Sequence, residues 1–126
     1  MVNMAKVKTP AIYEREVWSE KLGERVNEEI EITVGMPCTF NVGSDLYPAF
    51  VSRISDSGKT VWIKRANYIA DKENGHDYFS NQVYIITPND DVSEERATKR
   101  KNGRWHLNEY SRVGFGHAKH YEDPHF

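Results

Sequence analysis

Two apolar, β-branched runs on either side of a short turn constrain this chain more than any other feature. Residues 49–63 read AFVSRISDSGKTVWI. Phe50, Val51 and Ile54 precede the turn, and Val61, Trp62 and Ile63 follow it. The serines and Asp56 offer local side-chain hydrogen bonds and Gly58 a positive-φ position, so the stretch predicts a β-hairpin. Lys64 and Arg65 put a cationic pair at the end of its second strand. The wider stretch 36–70 carries the densest strand signal in the chain.

The length of 126 residues suits one domain. A hydrophobic fraction of 38% agrees with a folded core, whereas 29% charged residues assign much of the chain to surface and loops. Aromatics reach 12%, as in sheets and ring-lined pockets. The net charge of −2 argues against a whole-molecule field that would mark a nucleic-acid binder. A single cysteine, Cys38, excludes an intramolecular disulfide and points to a reducing cytosol. Residues 1–11 lack the apolar region of a signal peptide, and no run approaches the ~18 residues of a membrane span. The expectation is a soluble cytoplasmic protein without a membrane partner.

In order along the chain, residues 1–11 read as a flexible start. In 13–30, Leu22, Val26 and Ile30 recur at a spacing of four, which predicts an amphipathic helix despite Gly23. An extended arm that pairs with another subunit is the rival reading. Strands follow in 28–34, 38–42, 49–54, 60–63 and 78–87. Asn102-Gly103 predicts a second hairpin in 96–107 through a type I′ turn. The tail, 110–126, should lie over the sheet, since Tyr110, Phe115, Tyr121 and Phe126 would otherwise be exposed apolar surface. The expected fold is therefore α+β and predominantly β: an antiparallel sheet of about five strands with an N-terminal helical segment. The single domain, 1–126, would divide into the flexible start, a helical or arm segment at 12–30 and a β-rich ligand-binding core at 31–126.

Three constellations could carry chemistry. Arg96, Lys99, Arg100, Lys101 and Arg104 form a basic run, preceded by Asp90, Asp91, Glu94 and Glu95. It reads as a solvated hairpin edge or as a phosphate-facing ribbon that Arg65 and Arg112 could join, arginine being suited by its planar fork. Among the aromatics, most should be core, but Phe79 lies among polar neighbours and could stack on a base. His117, His120 and His125, with Glu122 and Asp123, include an H-x-x-H spacing. Gly114, Gly116 and Pro124 disfavour the helix a metal pair would need, so a surface cluster or tail packing is the simpler reading and no metal is expected. Nucleophilic catalysis has little support. Cys38 opens an apolar strand, no serine sits in G-x-S-x-G, and the phosphate-binding glycine loops are missing. The expectation is a protein that is not an enzyme and carries no cofactor.

Several phrases, taken in order, resemble one family. They are Val34-Gly35-Met36, Ser44-Asp45, Arg65-Ala66, Lys101-Asn102-Gly103-Arg104-Trp105 and the terminal His120-Tyr121-Glu122-Asp123-Pro124-His125-Phe126. Together they resemble small phage-encoded proteins of the Thoeris anti-defence family of the first type. The resemblance spans 34–126 and implies a non-catalytic sponge for cyclic nucleotide signals of the glycocyclic ADP-ribose type, made by bacterial immunity proteins in the host cytoplasm. It also implies a homo-oligomer, dimer or hexamer, with ligand held between subunits. On this chain it implies that Phe79 stacks on adenine, Asn89 hydrogen-bonds ligand polar groups, and Arg104, with Arg65 or Arg112, holds the diphosphate. Acidic residues between Asn89 and Arg104 depart from that pattern, and 1–33 carries no matching phrase. The alternative is a small β-domain nucleic-acid or protein-interaction module that uses the basic stretch 96–104.

Overall fold

The computed structural model describes residues 8–125. The hairpin at its centre forms as expected: β4 (Asp45–Ile54) turns at 55–59 into β5 (Thr60–Arg65). Gly58 takes φ +70° in that turn. Val61 and Ile63 point inward and are fully buried, with Trp62 between them on the opposite face. A register shift between Val51 and Arg53 marks a bulge in β4. The Ser52 hydroxyl there donates to Glu94 Oε2 at 2.6 Å, with the Trp62 carbonyl 3.1 Å away as a second acceptor for the same proton.

Around this hairpin the chain closes a six-stranded antiparallel barrel. β3 (Pro37–Val42) pairs β4, β5 pairs β8 (Glu95–Lys99), and β8 pairs β9 (Trp105–His106). β10 (Arg112–Phe115) pairs β9 on one side and β3 on the other, which closes the ring. Alternate residues of each strand fill the interior: Cys38 and Phe40, Ala49 and Val51, Val61 and Ile63, Ala97, Trp105, Val113 and Phe115. The Trp105 and Phe115 rings meet edge to face with centroids 5.6 Å apart.

Two hairpins stand outside the barrel. β1 (Ile12–Ser19) and β2 (Glu24–Glu31) pair along their full length. The base of this hairpin is fixed to the barrel. The indole nitrogen of Trp105 donates to the Ile12 carbonyl at 3.0 Å, and Tyr13 packs edge-on against Phe115. Its far end exposes Leu22 and Trp18, the latter 60% accessible. The second hairpin, β6 (Asn67–Ala70) with β7 (Tyr84–Thr87), leaves the barrel between β5 and β8.

The tail ties the second hairpin down. Leu46 and Tyr121 exchange backbone hydrogen bonds at 2.7 and 2.9 Å. Gln82 accepts from the Glu122 amide, and the Asp123 amide donates to Asp45. His120, 2% exposed, enters a box of Tyr47, Tyr68 and Tyr84.

The expected α+β class is corrected to all-β: no helix occurs among the described residues, and residues 13–30 form the β1–β2 hairpin. A spacing of four is even, so residues that share a helix face also share a strand face. Tyr13 pairs with Ile30 and Val17 with Val26 across the hairpin. Gly23, awkward in a helix, sits in the turn at φ +65°. A single sheet of about five strands is likewise replaced by a barrel and two small two-stranded sheets. The strand expected over 78–87 is regular only in β7, and the β8–β9 connection is not a type I′ turn, because Gly103 has positive φ whereas no non-glycine residue does among the described residues. Tyr110, expected to be covered, is 81% exposed. The expectations for residues 1–7 and Phe126 fall outside the described residues.

Candidate ligand-binding groove

Where β1 crosses the barrel beside β3, β9 and β10, a groove of about 590 Å³ opens. Tyr13, Phe40 and Trp105 contribute to its apolar wall; Arg15, Arg104 and Arg112 are the cations that line it. Backbone contacts position two of these arginines. The Arg112 amide donates to Asn41 Oδ1 at 2.7 Å, and the Arg104 amide donates to Asn102 Oδ1 at 3.0 Å. Among the described residues no ion pair or side-chain hydrogen bond engages either guanidinium. Arg15 is already engaged, its Nε 3.1 Å from Glu28 Oε2. Glu14 and Glu16 also line the groove. Three arginines against two glutamates leave a formal charge of +1 from these residues.

The five residues singled out in the sequence occupy different places. Arg104 and Arg112 share the groove. Arg65 does not line it. Its Nε and Nη2 bind the Glu95 carboxylate at 2.7 and 3.0 Å, and its guanidinium lies over the Phe40 ring. The Glu95 hydrogen bond pushes the Arg65 pKa up. Phe79 is 73% exposed on the 71–83 loop, edge-on to Tyr78. Asn89 donates to Asn67 Oδ1 and accepts the Asp91 amide, at the edge of a separate cavity of about 310 Å³ shared with Phe50 and Lys64.

The histidines also part company. His117 lines the groove, and its carbonyl accepts from the Thr39 hydroxyl at 2.8 Å. His120 places Nε2 3.2 Å from Glu122 Oε1 and leaves Nδ1 without a partner among the described residues. The His125 amide donates to Asp123 Oδ1. No group of three or more potential metal ligands forms among the described residues. Cys38 is buried, and burial pushes its thiol up to about 12, so it is not poised as a nucleophile.

Sequence reasoning missed Tyr13 and Arg15. A helix reading scatters Tyr13, Arg15 and Val17 around an axis; the period of two, visible in YEREV, puts them on one strand face. No protein family matches the chain, and comparison with curated proteins and with solved structures found no match.

Proposed function

We propose that the chain is a non-catalytic binding protein that sequesters a nucleotide signal of the cyclic ADP-ribose class, with the diphosphate held between Arg104 and Arg112. The observation that carries this reading is the pair of unengaged guanidiniums in one groove. A groove of about 590 Å³ falls within the usual range for small-molecule sites, roughly 300–1,000 Å³. Charge-assisted, bidentate hydrogen bonds are the strongest contacts such a ligand can make. The Tyr13 wall offers an apolar surface for the base. The resemblance of 34–126 to phage anti-defence sponges points the same way, and with it to action in the host cytoplasm as a homo-oligomer. In this reading Phe79, exposed on its loop, reaches ligand from a neighbouring subunit.

Native mass spectrometry and calorimetry against a panel of cyclic ADP-ribose isomers and cyclic dinucleotides test it. A retained, uncleaved ligand is expected. Arg104→Ala and Arg112→Ala should each weaken binding about tenfold or more, the range for losing a charged hydrogen bond. Failure to bind any member of the panel, or turnover of a bound one, overturns the proposal.

A further inference from the structure

Outside the groove, the outer face of β4, β5 and β8 carries an unusual row of side chains. Arg53, Trp62 and Arg96 are direct cross-strand partners. Because Val61, Ile63 and Ala97 fill the interior, Trp62 and Arg96 face outward. The Arg53 guanidinium sits 3.7 Å from the centre of the Trp62 ring. A half-buried indole is thus flanked by two arginines, one already stacked on its face.

Further cations extend the row. Lys59 is exposed at the β4–β5 turn, and its carbonyl accepts the Lys99 amide, so the turn lies against the end of β8. Arg100 is exposed one residue beyond β8. Lys64, outward on β5, donates to the Asp90 carbonyl at 3.0 Å. One carboxylate intrudes: Glu94, 3.3 Å from Arg53 Nη2 and bonded to the Ser52 hydroxyl. The acidic loop 90–94 borders the Lys64 end.

We propose that this face binds single-stranded nucleic acid, with Trp62 as the stacking platform and Arg53, Arg96 and Arg100 as phosphate ligands. An acidic peptide would satisfy the cations but leave the indole unused, whereas each nucleotide brings both an anion and a flat ring. Arg53 marks where a base would lie. On binding, the base takes the guanidinium's place over the indole, and Arg53 turns to a phosphate. Glu94 competes for Arg53 and so limits affinity. The surface has no residue among those of the groove assigned to a nucleotide signal, so the two proposals stand or fall separately.

The test is fluorescence anisotropy of a labelled oligothymidine with the intact chain across a salt series. Binding at low salt should weaken with a log–log slope of about −2, as for three phosphate contacts on a single strand. Arg96→Ala should weaken binding about tenfold and Glu94→Gln should strengthen it. Trp62→Leu should remove both the affinity and the binding-induced quenching of tryptophan emission. Arg96→Ala is a surface change, so it keeps the test decisive should Trp62→Leu fail to fold. No binding at low salt overturns the proposal. So does binding that ignores Arg96→Ala but is lost in Arg104→Ala or Arg112→Ala, and so does equal competition by polyglutamate.

Discussion

The imidazole of His120 lies flat on the phenol of Tyr68, with ring centroids 3.6 Å apart and planes 19° from parallel. This contact joins the tail to β6, and the Tyr47 and Tyr84 rings enclose it from β4 and β7. Four segments, the tail and three strands, therefore share one small aromatic cluster. The cluster, rather than strand pairing, holds the β6–β7 hairpin against the barrel, since neither β6 nor β7 pairs with a barrel strand.

His120→Ala should accordingly cost about 3 kcal/mol, the low end for emptying a buried ring site. Limited proteolysis should cut the tail of this variant faster than that of the wild type. His120→Phe keeps the stacking, gives up the Glu122 contact and removes an unpaired buried nitrogen, so urea unfolding should place it nearer the wild type than the alanine variant. Equal stability of His120→Ala and wild type would show that the cluster does not hold the tail.

Gly58 supports a different junction. A Cβ there would lie 2.5 Å from the carbonyl oxygens of Thr9 and Pro10, on a backbone at φ +70°. Gly58→Ala should cost about 2–4 kcal/mol, from left-handed strain plus overpacking. Gly43 has a similar φ of +60° with nothing near its would-be Cβ. Gly43→Ala should therefore show the backbone strain alone. The difference between the two denaturation midpoints isolates the close approach of the N-terminal segment.

Cys38 predicts a dependence on alkaline pH. Its folded pKa is raised by burial from 9.0 to about 12. The stabilisation is thus whole below 9.0 and is lost as pH rises towards about 12. Against Cys38→Ala as reference, wild-type stability should fall by about 1.4 kcal/mol per pH unit in that window. The folded thiol should also resist alkylating reagents at neutral pH. Parallel pH profiles for the two proteins would contradict this.

The central hairpin was legible because its signals agree: β-branched runs, a polar turn and a glycine where φ turns positive. The N-terminal segment was not, because Leu22, Val26 and Ile30 fit a strand face and a helix face equally. Barrel closure left no local trace. It depends on Val113 meeting Phe40 and Phe115 meeting Cys38, contacts far apart in sequence, made by a four-residue strand that contains Gly114. The groove was half legible. Arg104 and Arg112 stand out as cations, but what brings them together is the closing strand, which the sequence pattern does not announce, and the arm, whose period of two in YEREV competes with the helical spacing of Leu22, Val26 and Ile30. His120, read in the sequence as part of a surface cluster or of tail packing, is buried because three tyrosines from separate strands converge on it, and such convergence has no periodicity.

The closing pair of β10 with β3 also dictates the order of events during synthesis. β3 is made about seventy residues before its barrel partner on one side, Phe40 before the Val113 that it meets. Until then β3 presents an unpaired edge carrying Cys38 and Phe40, the kind of surface that recruits foreign strands. Ring closure therefore waits for β10, and the most non-local pairing of the barrel is the last to become possible. A nascent chain stalled before residue 112 should be a target for chaperones, whereas one released a few residues after 115 can close its own ring.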